Sequence, residues 1–206
     1  MGKQIIFLFL LMNSFAFFAQ KNKNTSNDNY FRPGLIKASA TITPGRMLQN
    51  KANSIYINGF LEYVVDYKYS FRGDIFQFID ANYSINSSFT NPNYMNRIYF
   101  GCFRHFGKKN FKIAPGAQMG VLMADYNYSA FERQFYVAPS FALKLGADYY
   151  VWDFFHFFAS LTYVNSTIRG TQAGKHKMDE LLFSAGLGFQ INTIKSKLRE
   201  TGERPF

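Results

Sequence analysis

The chain has 206 residues, of which 48% are hydrophobic, 19% aromatic and 17% charged, and its formal net charge is +10. So many aromatic and so few charged residues exclude an intrinsically disordered chain and a coiled coil. A mean hydropathy of −0.16 is too polar for a bundle of membrane helices. The single cysteine excludes an intramolecular disulfide and a cysteine-based zinc cluster.

The first residues have the features of a secretory signal peptide. Lys3 precedes an apolar run from Ile5 to Phe18, and Ala19 follows that run. The run is shorter than the ~20 residues that a membrane-spanning helix needs. We therefore expect residues 1–19 to be a signal peptide that is cleaved on export, followed by a polar lead-in over residues 20–34.

Apolar and polar residues then alternate with a period of two, which is typical of β-strands with one apolar face. The chain contains no later run of apolar residues long enough for a membrane helix. The alternation predicts eight strands, namely Leu35–Thr43, Ile55–Tyr67, Phe71–Asp80, Asn96–Phe106, Phe111–Met123, Phe135–Tyr149, Phe155–Tyr163 and Leu181–Ile191.

The predicted links between these strands alternate in length. Short links follow the second, fourth and sixth strands, whereas the others are mostly longer, among them 82–95, 124–134 and 167–179. Outer-membrane barrels have short periplasmic turns and longer external loops, so this rhythm favours such a barrel. Proline donates no hydrogen bond to a ladder, and we therefore expect β-bulges at three strand prolines. These are Pro44, Pro115 and Pro139.

Two kinds of barrel fit eight alternating strands. A soluble ligand-binding barrel turns its apolar face inward, and a membrane barrel turns it outward. The signal peptide, the aromatic richness and small polar-face residues such as Gly116 and Gly186 favour the membrane barrel, because side chains just fill an eight-stranded interior. The predicted fold is therefore all-β, an eight-stranded antiparallel up-and-down transmembrane β-barrel over residues 35–192, with a basic tail over residues 193–206.

In this orientation the polar face lines the lumen. Buried charges need partners, so we expect the inward charges to form a network of salt bridges and hydrogen bonds that fills the barrel. A narrow gated pore is the alternative. The predicted lumen residues are Lys37, Glu62, Arg72, Asp74, Lys144, Asp148 and His156.

Tyrosine and tryptophan near the strand ends are expected to form the interface girdles of a membrane barrel. The candidates at the short-turn end are Tyr63, Tyr67, Tyr149, Tyr150 and Trp152, and those at the opposite end are Tyr99, Tyr126 and Tyr136.

Catalytic chemistry has little support in the sequence. His156 and Ser160 share one face of a strand, as a base and a nucleophile would, but their spacing matches no motif. A lipid A-modifying enzyme is therefore only an alternative, and we expect no catalytic residue. His105 and His176 stand apart in the sequence and make no convincing metal set with carboxylates, so we expect no metal site. No phosphate-binding glycine motif is present, and we expect no cofactor.

Basic residues cluster near the predicted outer rim, at the level of lipopolysaccharide phosphates, which they could bind. An ordinary solvated loop surface is the alternative. Nucleic acid is not an expected partner, because the basic residues are scattered and the chain is exported. The rim candidates are Arg46, Lys51, Arg169, Lys175 and Lys177.

With its signal peptide, eight strands and loop rhythm, the chain resembles the small eight-stranded outer-membrane barrels of Gram-negative bacteria, which include the OmpA transmembrane domain and OmpX. Its last predicted strand, with Gly186, Gly188 and Phe189, looks like the terminal strand that the barrel assembly machinery reads in that family. The tail over residues 193–206 departs from the family pattern, in which many barrels end at a terminal aromatic residue.

The resemblance implies an outer-membrane protein that contacts lipid and lipopolysaccharide and is inserted by the barrel assembly machinery. It implies a structural or interaction role in the cell envelope, or a role as an accessory subunit of an outer-membrane complex. A protein partner would bind through loops 82–95 and 167–179. The first of these is rich in Asn, Ser and Tyr, which provide adaptable hydrogen bonds and aromatic anchors.

Overall fold

A computed structural model describes residues 30–49, 52–82, 92–107, 109–129, 132–171 and 174–193. Within these ranges, no helix is long and apolar enough to cross a membrane. The strands are β1 (Leu35–Met47), β2 (Asn53–Val64), β3 (Tyr69–Asn82), β4 (Pro92–Arg104), β5 (Phe111–Ser129), β6 (Glu132–Tyr150), β7 (Phe155–Thr171), β8 (Gly174–Lys177) and β9 (Glu180–Asn192).

Eight of the described strands form a closed antiparallel ring. β1 to β7 pair with their neighbours in chain order, β7 then pairs with β9, and β9 pairs with β1. β8 is a short ninth strand that pairs with the outer part of β7. The predicted eight-stranded barrel is therefore confirmed, with β9 as its last strand.

The apolar faces of the strands point outward and the polar faces point inward. Leu61 is 61% exposed, and Phe141 and Leu187 are exposed as well, whereas the alternate residues of the same strands are buried. A soluble ligand-binding barrel would show the reverse arrangement. The barrel is therefore of the membrane type, with a lipid-compatible surface around a lumen that contains the charges.

The two ends of the barrel differ. At one end, which we call the turn end, lie the links from β2 to β3, β4 to β5 and β6 to β7, together with Leu35 and Asn192, which pair with each other. The opposite end is called the loop end. The expected long links at 124–134 and 167–179 are wrong, because β5, β6 and β7 continue through most of them and β8 turns back along β7. Polar residues on both faces hid these extensions, since strand pairing beyond the membrane needs no apolar face.

The expected bulges at the three strand prolines are also wrong. The ladder on one side of each proline continues in register, through the pairs Pro44–Ile55, Pro115–Leu145 and Pro139–Val121. On its other side, each proline has no ladder partner among the described residues. The N–H that proline lacks would bond to only one of the two adjacent strands. Each proline therefore remains unpaired on that side, and the strand keeps its register with the other neighbouring strand.

The prediction of aromatic girdles is correct for part of the set. Tyr63, Tyr67, Tyr149 and Trp152 are exposed on the outer surface. Tyr99 and Tyr150, however, are buried in the lumen, because each lies at an inward position of its strand. Tyr136 is partly buried against the interior, and the side chain of Tyr126 lies outside the described residues.

Candidate functional site: the barrel interior

Asp74 on β3 is a central acceptor of the lumen. Arg72 Nε lies 3.0 Å from Asp74 Oδ2, and Lys144 Nζ from β6 donates to Asp74 Oδ1 at 2.6 Å. Gln118 Nε2 from β5 donates to Asp74 Oδ2 at 2.8 Å. Asn58 Nδ2 from β2 also donates to Asp74 Oδ1, at 3.5 Å, so this carboxylate binds side chains from four strands.

The chain of ion pairs continues from Arg72 towards the turn end. Arg72 Nη1 lies 3.6 Å from Glu62 Oε2, and Lys37 Nζ lies 3.0 Å from the same oxygen. Lys37 Nζ also donates to Asp148 Oδ2 at 2.7 Å. The network therefore joins three basic and three acidic side chains, and their formal charges cancel. Such neutral pairing is what makes buried charges tolerable in a low dielectric.

Local strand geometry explains this convergence. Arg72 and Asp74 are two residues apart on β3, so they point to the same side, and Glu62 is opposite Arg72 in the β2–β3 register. Glu62 is likewise opposite Lys37 in the β1–β2 register. The Arg72 guanidinium also lies over the Phe60 ring, 3.6 Å from its centre, where a cation–π contact stabilises it.

His156, the seventh predicted lumen residue, is buried but lies outside this network. Neither ring nitrogen has a hydrogen-bond partner among the described residues. The ring is surrounded by Phe60, Tyr150 and Phe158 and packs on Gly188, where an added Cβ would lie 2.3 Å from the imidazole Cε1. Ser160 Oγ is also unpartnered among these residues, so no nucleophile–base hydrogen bond joins the two side chains.

His105 belongs to the network, although the sequence analysis gave it no role. Its Nε2 lies 3.0 Å from Glu62 Oε1 and 2.7 Å from Ser70 Oγ, and Ser70 Oγ donates to the same Glu62 oxygen at 2.7 Å. The alternation of β4 contained the signal: Arg104 faces outward, so the next residue faces inward.

A second buried ion pair, Arg97–Glu180, was not assigned from the sequence. The Arg97 guanidinium contacts the Glu180 carboxylate directly, and Tyr56 Oη donates to Glu180 Oε2 at 2.8 Å. Ser54 Oγ also bonds to Glu180. Arg97 lies on the inner face of the predicted strand Asn96–Phe106, and Glu180 directly precedes the predicted strand Leu181–Ile191. These two strands are not neighbours in the barrel, so only closure of the ring brings the two side chains together.

This second pair lies within an apolar layer that fills the loop end of the lumen, where the sequence analysis expected small and polar residues. An inward glycine makes room for one of the large rings, because a Cβ on Gly120 would lie 2.6 Å from the Tyr99 ring. The buried members of the layer include Met47, Tyr56, Phe76, Met95, Tyr99, Leu122, Val164, Ile168, Met178 and Leu182.

The turn end is closed by the last residues of the predicted lead-in. Phe31 is buried, and its ring centre lies 4.2 Å from that of His105. The chain turns back at Gly34, whose φ of 79° favours glycine, and Gly34 N donates to Val64 O at 2.8 Å. Thr193 N in turn donates to Gly34 O at 3.0 Å. Residues 30–34 therefore cover the mouth rather than merely leading to the barrel.

Two of the predicted rim cations can be placed. Arg46 and Lys177 are exposed at the loop end. Lys51 lies outside the described residues, as do the side chains of Arg169 and Lys175, and most of the predicted loop 82–95 lies outside them too. Within the described part of the chain, no group of three His, Cys, Asp or Glu residues could hold a metal ion.

Comparison with known proteins gives structural but not sequence relatives. No protein-family model and no curated protein matches the chain. OprG of Pseudomonas aeruginosa is 13% identical, with a TM-score of 0.60 over 79% of this chain and 98% of OprG. The Neisserial surface protein NspA is 14% identical, with a TM-score of 0.54 over 77% of this chain and 96% of NspA.

Ail, the attachment invasion locus protein of Yersinia pestis, is also similar. It is 14% identical, with a TM-score of 0.53 over 77% of this chain and 99% of Ail. At such low identity these likenesses concern the fold alone. The chain therefore has the fold of the small eight-stranded outer-membrane β-barrels, as the sequence resemblance implied.

Proposed function

We propose that the protein is an integral outer-membrane β-barrel that forms no open channel. The observation that carries this proposal is the neutral chain of ion pairs from Asp148 to Lys144, which crosses the lumen between the Phe31 cover and the apolar layer. Three successive layers of packed side chains support a filled lumen rather than a gated narrow pore.

The outward apolar face supports the outer membrane as the location. A closed ring lets neighbouring strands satisfy their backbone hydrogen bonds on one another in lipid, and the fold is shared with OprG, NspA and Ail. In this proposal a cleaved signal peptide directs export and the barrel assembly machinery inserts the chain. The turn end faces the periplasm, and Arg46 and Lys177 lie at the level of lipopolysaccharide phosphates.

The proposed role is structural or interactive: envelope integrity, surface contact, or service as an accessory subunit of a larger complex. Two features support contact at the loop end. The link from β3 to β4, which is part of the predicted loop 82–95, lies there, and β5, β6 and β7 are the longest described strands and extend at that end. One structural relative is described as an attachment invasion locus protein, which gives a precedent for surface contact on this fold.

Planar-bilayer recording tests the filled lumen. Purified protein should give little steady conductance, because ion pairs and aromatic rings occupy the barrel axis. A variant with the Phe31 cover and the central chain both weakened, Phe31→Ala with Arg72→Ala, serves as the comparison and should conduct more. Large, stable channels from the wild-type protein would contradict the proposal and favour the narrow pore.

Fractionation and lipid analysis test the remaining parts. The mature chain should be recovered with the outer membrane, and recovery from the periplasm as a free protein would contradict the location. We propose no enzyme activity. A lipid A mass shift that appears on expression and is lost in His156→Ala would favour the lipid A-modifying alternative instead.

A further inference from the structure

One position on the outer wall of the barrel carries a charge that the lumen network does not use. Arg104, the last residue of β4, is exposed, whereas the residues directly before and after it are buried. The other outward side chains on this part of the chain are Phe100, Cys102 and Phe106. Within the described strands of the turn-end half, every other exposed outward side chain is uncharged. A charge on a lipid-facing wall is costly unless it lies near the headgroups.

Arg104 lies at the level where the lipid-facing wall ends. Tyr69, the first residue of β3, is opposite Arg104 in the last pair of the β3–β4 ladder. Exposed Tyr63, Tyr149 and Trp152 lie at the same end of the barrel. Such aromatic residues mark the boundary between hydrocarbon and headgroups. The guanidinium of Arg104 is therefore at headgroup depth rather than in the hydrocarbon.

Two aromatic rings hold this guanidinium on the outer surface. Arg104 Cζ lies 4.9 Å from the centre of the Phe106 ring and 5.9 Å from that of the Tyr69 ring, which is within the range of cation–π contacts. Phe106 is itself fixed by two backbone hydrogen bonds with Ile113, at 2.8 Å and 2.7 Å. Both rings are about half exposed. The rings thus orient the cation and leave it open on the lipid side.

The N–H groups of this guanidinium have no acceptor among the described residues. None of the salt bridges or side-chain hydrogen bonds in that part of the chain includes Arg104. Asp66, in the adjoining β2–β3 link, binds within its own turn, because its Oδ1 accepts from the backbone N–H groups of Lys68 and Tyr69, both at 2.6 Å. A guanidinium has five donors in a fork that matches a phosphate. These donors are therefore left for a ligand.

The two links beside Arg104 add positive charge. Lys68 is exposed in the β2–β3 link, and its carbonyl oxygen accepts from His105 N at 2.6 Å, which holds that link against the end of β4. Lys109 is exposed in the β4–β5 link. Among the described residues of these two links, Asp66 is the one acid. The local charge therefore favours an anionic ligand.

We propose that Arg104 binds the phosphate of a glycerophospholipid headgroup, while the Tyr69 and Phe106 rings contact the glycerol and the start of the acyl chains. This inference deepens the proposed function and rests on it, because the leaflet at a turn end that faces the periplasm consists of phospholipid. The excess of positive charge favours an anionic headgroup such as phosphatidylglycerol over phosphatidylethanolamine, whose ammonium balances its phosphate. The site holds one lipid at a defined place on β3 and β4.

Native mass spectrometry of the mature barrel, released from detergent micelles, tests the site. Delipidated protein is mixed with phosphatidylglycerol, with phosphatidylethanolamine or with diacylglycerol, which lacks the phosphate, and the fraction that carries one lipid is measured. The wild type should retain phosphatidylglycerol most and diacylglycerol least. Arg104→Gln should lower the retained phosphatidylglycerol several-fold. Arg32→Gln is the matched control and should leave it unchanged, because Arg32 is an exposed arginine at the same end but belongs to the mouth cover.

A second variant separates the rings from the charge. Phe106→Leu keeps the cation but removes one ring, so it should cause a smaller loss of phosphatidylglycerol. It also replaces Arg104→Gln where that variant fails to show the heat-dependent gel shift of a folded barrel. Equal phosphatidylglycerol retention in the wild type and the folded variant would overturn the inference. Diacylglycerol retention by the wild type as high as that of phosphatidylglycerol would do the same.

Lipids that co-purify from outer membranes identify the source of the phosphate. Arg104→Gln should lose phosphatidylglycerol, and a loss of lipopolysaccharide in its place would overturn the assignment to phospholipid. Failure of the proposed function has a different signature. Channels from the wild-type protein in planar bilayers would contradict the filled lumen alone, since they leave lipid retention by the outer wall unchanged.

Discussion

The two halves of the lumen are filled in different ways. The turn-end half contains a branched network, in which Asp74 and Glu62 each bind several polar groups. The loop-end half is an apolar layer with one ion pair, Arg97–Glu180, inside it. In the network, Asp74 and Glu62 each keep one charged partner when another is lost. Arg97 and Glu180, by contrast, are each other's only charged partner in the salt bridges of the described residues. Stability should therefore depend more on single charges in the loop-end half.

The largest effect is expected for Arg97→Ala, which leaves the Glu180 carboxylate buried without its cation. The free energy of unfolding should fall by about 3–5 kcal/mol. Urea unfolding of the folded barrel in lipid vesicles, followed through Trp152 fluorescence, measures this. The double variant Arg97→Met with Glu180→Leu is the control and should recover much of the loss, since it removes both charges. A single variant as stable as the wild type would break the comparison.

The second effect concerns the apolar cover of the turn end. Phe31→Ala should lower the free energy of unfolding by about 1.5–3 kcal/mol, because it exposes a buried ring and uncovers His105. Arg32→Ala, at the exposed neighbouring position, is the matched control and should change little. Equal losses in both variants would mean that residues 30–34 contribute nothing to closure.

Alanine substitutions at two inward glycines, Gly120 and Gly146, compare a tightly packed position of the barrel wall with a less tightly packed one. Gly120→Ala places a Cβ 1.9 Å from the Ile98 carbonyl oxygen and against the Tyr99 ring, and should cost about 1–3 kcal/mol. Gly146→Ala places its Cβ at an ordinary contact distance, 3.5 Å from the Ala114 carbonyl oxygen, and should be close to neutral. The same unfolding measurement applies to both. A cost at Gly146 equal to that at Gly120 would contradict this difference in packing between the two positions.

The smallest effect is expected for Lys144→Met in the turn-end network. Asp74 keeps Arg72 and Gln118 as partners, so the loss should be about 1–2 kcal/mol, below that of Arg97→Ala. A loss as large as that of Arg97→Ala would show that a branched network protects no better than an isolated pair. Denaturant midpoints of the two variants in one lipid composition decide this.

The sequence by itself determined the number of barrel strands, the face that meets lipid and the identity of seven inward side chains. These follow from the period of two, which is a local property that each strand displays independently of its neighbours. Strand extensions at the loop end escaped prediction, because their residues are polar on both faces. Extending the alternation of inward and outward positions to the ends of β4 and β6 would have placed His105 and Tyr150 in the lumen.

Tertiary structure decided which inward groups meet. Arg97 and Glu180 lie on strands that are far apart in the sequence and not adjacent in the ring, so only register and closure bring them together. The return of Phe31 into the mouth has the same origin. Contacts across a barrel depend on the shear and tilt of the whole ring, which no single strand encodes.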